Sequence, residues 1–354
     1  MEMEAFKNPL SLQLKADDFL PANEEEKKQL VVMRESTTFW KDAMRRLLHN
    51  KIAMVAFVVI VFVMIFAFVM PNFYPYSYDQ QIRGSEFLHP MQYSQKEMKT
   101  IAAGGSVFPH ILGTDMHGRD MVIRLMMGTR VSLLVGIIAS VLVLLIGTIY
   151  GAISGYCGGM VDLVMMRIVD IILSIPDMLM IILLQVTLKS PLTSLFDAHP
   201  SLSWLQSLGV PMVSIFITFS LLYWVGMARI VRSQVMSLKE QEFVTAARAL
   251  GASGKRIISK HLIPNCISVL IVTTTLEIPA AIFTEAFLSF LGLGVMSPMA
   301  SLGSLASDAL GGIESYTYLL VAPSIAISLI ILSFNLFGDG LRDAFDPKLK
   351  ENKK

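Results

Sequence analysis

Charge is the commodity this sequence has least of. Only 16% of its 354 residues are charged, against about 25% in an ordinary soluble chain. That deficit excludes a typical water-facing surface and points to a membrane. Cysteine is nearly absent too. Cys157 and Cys266 stand far apart, which excludes a disulfide framework or a thiolate metal site and leaves two packed thiols. A formal net charge of +1 gives no indication of a nucleic-acid partner. No short basic region leads directly into an apolar core at the start, so no cleaved signal peptide is expected. Catalytic signatures are missing as well: there is no Gly-x-Ser-x-Gly elbow and no His-Glu-x-x-His. Gly251-Ala-Ser-Gly254-Lys255-Arg256 has the look of a phosphate loop. Its spacing is too short, however, and Arg256 stands where a hydroxyl residue is required. No catalytic residue is expected, nor any metal or cofactor held by this chain.

Long apolar runs fill the space that charge leaves. Residues 1–50 form a polar arm whose end, Phe39-Trp40 through Leu47-Leu48, reads as an amphipathic interfacial helix. Ile52 to Met70 is close to the ~20 apolar residues that cross a bilayer core. It makes a first span within 51–71. Arg45, Arg46 and Lys51 precede it, which places the N-terminus in the cytoplasm. Residues 72–130 then form a long outer loop. Val122, Ile123, Met126 and Met127 recur in it at helical spacing, predicting a short helix before the next span. His110, Asp115, His117 and Asp120 match no standard metal-ligand spacing and read as turn and capping residues. Further spans follow at Val131–Ile149, Ile168–Leu188, Val210–Ile230, Ile267–Leu291 and Leu319–Phe337. Tyr150 to Arg167 reads as a glycine-rich turn, and Pro176 as a kink or an unwinding of the third span. The core thus covers 131–348, with a tail at 349–354. Six spans with both termini inside put every short basic loop in the cytoplasm.

The densest of those loops is Ser237–Asn265. Ser237 and Glu240 have capping-box spacing, Gly251 fits a left-handed helix end, Ser253 offers a second N-cap, and Pro264 closes that helix or opens the next. Phe243, Ala246, Ala247 and Leu250 make one apolar face; Ile257, Ile258, His261 and Leu262 make another. His261 reads as packed or hydrogen-bonded. Two short helices with a sharp glycine break suggest an element that docks. Inside the fifth span, Glu277 and Glu285 lie roughly 80° apart around the helix. Carboxylates at such depth either face a translocation pathway or hydrogen-bond neighbouring spans.

Four motifs then make the chain recognisable. Glu242-Phe-Val-x-Ala246-Ala247-Arg-Ala-Leu-Gly251-Ala-Ser with His261-Leu-Ile-Pro264-Asn265 resembles the EAA loop of bacterial ABC importer permeases. Gly113-Thr-Asp-x-x-Gly118-Arg119-Asp120 with Gly128-x-Arg130-x-Ser132-Leu133 precedes the second span. Glu285-Ala-Phe-Leu-Ser-Phe-Leu-Gly292-Leu-Gly294 closes the fifth. Asn335-x-x-Gly338-Asp339-Gly340-Leu341-Arg342-Asp343 with Asp346-Pro347 follows the sixth. Together they resemble the C-type permease of the dipeptide, oligopeptide and nickel importers. The resemblance implies an all-α integral membrane protein of six transmembrane helices with the type I ABC importer (MetI-like) permease fold. It further implies a heterodimer with a homologous permease and two cytoplasmic ABC ATPases that bind ATP and Mg. An extracellular substrate-binding lipoprotein or periplasmic protein and a bacterial inner-membrane location follow from it as well. Glu242 to Leu250 would be the coupling helix seated on an ATPase, although Thr245 replaces the family's first EAA glutamate. Oligopeptide cargo is favoured; dipeptide or nickel cargo of the same family, and an ion-coupled carrier using Glu277 and Glu285, are the alternatives.

Overall fold

The computed structural model describes residues 38–199, 205, 208–295 and 299–346. Most of the polar arm, the tail at 349–354 and part of the loop before the fourth span lie outside them. The chain divides into two compact units, Met1–Asp42 and Ala43–Lys354; every contact discussed below belongs to the second.

Among the described residues the architecture is helical, with one isolated bridge between Thr114 and Asp120 as its sole extended pairing. Helix α1 spans Phe39–His49, α2 Lys51–Phe68, α3 Gln95–Ala102 and α4 Met121–Cys157; α5 is Gly159–Leu173 and α6 Asp177–Ala198. The fourth hydrophobic run forms α7, Val210–Leu222, and α8, Trp224–Leu238. Then come α9, Glu242–Ala249, the one-turn α10, Gly254–Ile257, and α11, Ile263–Phe290; α12 is Leu302–Ala309 and α13 Tyr318–Phe345. Six stretches are long and apolar enough to cross a membrane: Lys51–Asn72, Met121–Cys157, Asp177–Ala198, Val210–Leu238, Gly254–Phe290 and Tyr318–Phe345. Helix α4 is the spine. It packs along α8 and α11, and α13 packs between α11 and α2.

The helices differ from the sequence reading where glycine and proline were weighed by type rather than by setting. The short helix before the second span and the span itself are one continuous helix, started by Asp120, whose side chain accepts from the Val122 and Ile123 amides. The expected turn at Tyr150–Arg167 is helix on both sides of Gly158. Gly151 does not break α4; it lets α8 approach, because a Cβ there would sit 2.4 Å from the Ala228 carbonyl oxygen. Pro176 unwinds the helix rather than kinking it. It separates α5 from α6, whose first residue is Asp177. The fourth run bends at Tyr223, and the sixth continues to Phe345. Ser237 lies inside the last turn of α8, so it cannot cap α9; Gln241 takes that position without a side-chain bond.

Candidate functional site

At the Cys157 end of α4 the chain from α8 to α11 makes a compact elbow. Helix α9 starts with Glu242 in its first turn, where a carboxylate complements the helix dipole. It ends as a Schellman motif. The Gly251 amide donates to Arg248 O at 2.9 Å and the Ala252 amide to Ala247 O at 3.0 Å. Gly251 sits at φ +81°, a conformation that penalises any side chain. Ser253 then caps α10 by accepting from the Arg256 amide at 3.4 Å. A single π-helical turn, Ile258–Leu262, links α10 to α11, and Pro264 occupies the first turn of α11, where its missing N–H costs nothing. Pro264 therefore opens a helix.

Helix α9 presents two different sides. Val244 is fully buried and Ala247 is 8% exposed; both pack into one cluster with Val231 and Val235 of α8, Ile257, and Leu262. On the other side Glu242, Phe243, Ala246 and Leu250 are exposed, Leu250 to 88%. The face expected to hold Phe243, Ala246, Ala247 and Leu250 together is thus split: Ala247 packs inward with Val244, while Phe243, Ala246 and Leu250 stay exposed. The second expected face splits likewise: Ile257 and Leu262 are buried, Ile258 and His261 half-buried. The His261 carbonyl accepts from the Asn265 side chain at 2.6 Å. Three contacts missed in the sequence fasten the elbow to α4. The Arg248 guanidinium lies 5.5 Å from the Tyr156 ring centre, Lys239 Nζ donates to Gly155 O at 3.0 Å, and Gly254 has no room for a Cβ against Tyr156. Residue spacing along one segment could not have revealed partners some eighty to a hundred positions away.

The two carboxylates of α11 have unlike surroundings. Glu285 is wholly buried; its oxygens accept from Ser132 of α4 at 2.8 Å and from Ser289 at 2.6 Å. Those hydroxyls in turn accept from the Leu302 amide at 3.3 Å and the Val295 amide at 3.0 Å. Glu285 therefore ties α11, α4 and the start of α12 together. Glu277 is half-buried at mid-helix, and no salt bridge reaches it among the described residues. Tyr223, at the bend between α7 and α8, lies within its electrostatic reach.

Residues 147–351 match the family described as binding-protein-dependent transport system inner membrane component. Residues 38–90 match the N-terminal transmembrane domain of oligopeptide transport permease C. The oligopeptide transport system permease protein OppC of Bacillus subtilis is 41% identical over 320 residues, covering 90% of this chain and 93% of the relative. OppC of Haemophilus influenzae is 40% identical, over 89% of this chain and 90% of its own length. The dipeptide transport system permease protein DppC of B. subtilis is 40% identical over 94% of both. With six apolar helices, no strand among the described residues and these matches over nine-tenths of its length, the chain belongs to the family of ABC importer permeases with the MetI-like fold, as a multi-pass membrane protein.

Proposed function

We propose that this chain is the transmembrane permease subunit of an ATP-driven oligopeptide importer in a bacterial inner membrane. It pairs with a homologous permease, rests on two cytoplasmic ATPases that hold ATP and Mg, and receives peptide from an extracellular binding protein. The observation that carries this reading is the two-sided α9. Its inner side is packed into the bundle, while Leu250 and Phe243 are left exposed, where a docked partner would cover them. The basic residues of Ser237–Asn265 support a cytoplasmic position for that side, and the charge of the other short loops supports the same for both termini.

In this reading the exposed residues Glu242, Phe243, Ala246 and Leu250 sit in an ATPase groove. Val244 and Ala247 join the helix to α8, Gly251 sets the elbow, and His261 and Pro264 lie on the strut that leads into α11. Closure of the ATPases on ATP moves α9. The packed elbow transmits that movement to α11 and α8, whose rearrangement switches access to the pathway. Glu277, with no salt-bridge partner among the described residues, is the pathway candidate; Glu285 holds the frame. An ion-coupled carrier would have no use for the outward side of α9.

The test is co-reconstitution with the sister permease, both ATPases and the binding protein. Peptide-stimulated ATP hydrolysis and uptake are expected from the full set and from no subset lacking the ATPases. A Phe243→Asp variant should keep the complex's fold and lose stimulation. Uptake driven by this chain alone under an ion gradient would overturn the proposal.

A further inference from the structure

At the Met121 end of α4, far from α9, the loop between α2 and α4 contains a histidine with no access to solvent. His110 is fully buried. Its Nδ1 lies 2.8 Å from Asp120 Oδ2 and its Nε2 lies 3.2 Å from Glu97 Oε1. Tyr76 stacks on the ring, centre to centre at 4.5 Å. Each carboxylate has a second task. Asp120 Oδ1 caps α4 through the Val122 amide at 2.9 Å and the Ile123 amide at 3.2 Å. Glu97 Oε2 accepts from the Ser94 amide at 2.7 Å, completing the capping box that starts α3. The imidazole therefore bridges the N-terminal caps of two helices.

A neutral imidazole has one N–H and one lone pair. Facing a carboxylate on each side, it can satisfy one and must turn its lone pair toward the other. Only the imidazolium donates to both. We propose that His110 is a proton-dependent clamp that joins α3 to the start of the spanning helix α4, closed when the ring is charged and loosened when it loses a proton. The proposal rests on this geometry and holds whatever the chain transports.

The titratable neighbours are few. Glu97 comes from α3, Asp120 from the start of α4, and Tyr74 and Tyr76 from the segment after α2. Burial would push the His110 value down, but the hydrogen bonds and charges of Asp120 and Glu97 outweigh it and hold the value above the ordinary imidazole range. Burial, with Glu97 and Asp120 nearby, pushes Tyr76 up to about 12 and raises Tyr74 as well, so neither phenol ionises before the imidazole does. A group whose folded value is raised stabilises fully below its unfolded value and loses that contribution as pH rises through the folded one. The clamp is thus closed below about pH 6.5, the unfolded histidine value, and opens as pH rises through the raised folded value that lies above it.

Residue-resolved amide exchange on the full chain in lipid nanodiscs, corrected for intrinsic rates, tests this. Between about pH 6 and about pH 9, protection at Ser94, Val122 and Ile123 should fall roughly tenfold, the scale of one hydrogen bond to a charged group. The amides of Ala53 and Ser304, capped by Asn50 and Ser301, serve as controls and should hold their protection. His110→Phe keeps the stack and should show the loosened state at both pH values. Should that variant fail to fold, Glu97→Gln is the second. A neutral imidazole can then donate to Asp120 and accept from the amide, so protection at Val122 and Ile123 should stay high and lose its pH dependence. Equal wild-type protection at both pH values overturns the clamp, as does a loss matched at the control amides or retained in Glu97→Gln.

Discussion

At its Met121 end α4 is closed over by charge, and at its Cys157 end by hydrocarbon. The first closure is saturated in its charges. Asp115 accepts from Arg119 Nε at 2.7 Å and from Arg124, and Arg124 reaches across to Asp308 of α12 at 3.2 Å. Burial would raise the Asp115 carboxyl, but Arg124 and Arg119 hold it below the usual carboxylate range. The buried charged groups there, Glu97, His110, Asp115, Arg119, Asp120 and Arg124, each have a partner in this chain, while the buried hydroxyls of Tyr74 and Ser85 have none among the described residues. The Cys157 end is half finished. Val244 and Ala247 are packed, yet Phe243 and Leu250 face water beside them. An end complete in itself holds a shape; an end complete on one side only is built for something else to complete it.

Charging the packed side should break this contrast most strongly. Ala247→Glu places an unpaired carboxylate among Val244, Ile257 and Leu262, and a cost of about 4 kcal/mol is expected. Denaturant unfolding in detergent should register it, with or without ATPases present. Asp115→Asn attacks the saturated end and leaves the buried Arg124 with the half-exposed Asp308 as its carboxylate partner. About 3 kcal/mol should be lost, and the loss should shrink in an Asp115→Asn, Arg124→Met double variant, since removing both partners costs less than removing one. Ser253→Ala removes only the cap of α10. Its expected cost is about 1 kcal/mol, and a much larger loss would mean that the elbow is held by its caps more than by its apolar cluster.

Legibility differed between the two ends for a physical reason. Gly251, Ser253 and Pro264 could be read because turn and cap chemistry is local: a left-handed glycine, an N-cap hydroxyl and a first-turn proline act within four residues. Five of the six spans could be placed because a bilayer demands length and apolarity from each segment separately, whereas the third, expected at Ile168–Leu188, runs over Asp177–Ala198 because Pro176 divides that apolar run. What escaped is non-local. Gly151 and Gly155 look like turn residues until α8 is laid against them, and Tyr156 gains its role from Arg248 and Gly254. His110, Asp115, His117 and Asp120 read as turn and capping residues; Asp115 and Asp120 take those roles, but His110 bridges Asp120 to Glu97, which lies thirteen residues before it on a separate helix. Glu277 and Glu285 share a helix side, and only the serines around Glu285 distinguish them.

The smallest stability effect should carry the largest consequence for transport. Leu250→Asp replaces an 88% exposed side chain that touches little of its own chain, so unfolding should shift by no more than about 0.5 kcal/mol. The Schellman turn at Gly251 uses backbone atoms alone and survives the change. If the outward side of α9 is finished by an ATPase groove, a carboxylate buried there without a partner weakens docking at least tenfold, at about 1.4 kcal/mol per decade. Peptide-stimulated ATP hydrolysis of the assembled importer should fall in step, while Ala246→Ser at the same face should leave it nearly intact. Unfolding and ATPase titration on one preparation separate the two effects. Docking that stays unchanged in Leu250→Asp would mean that the exposed side is left open for another reason, and the contrast between the ends of α4 would lose its functional meaning.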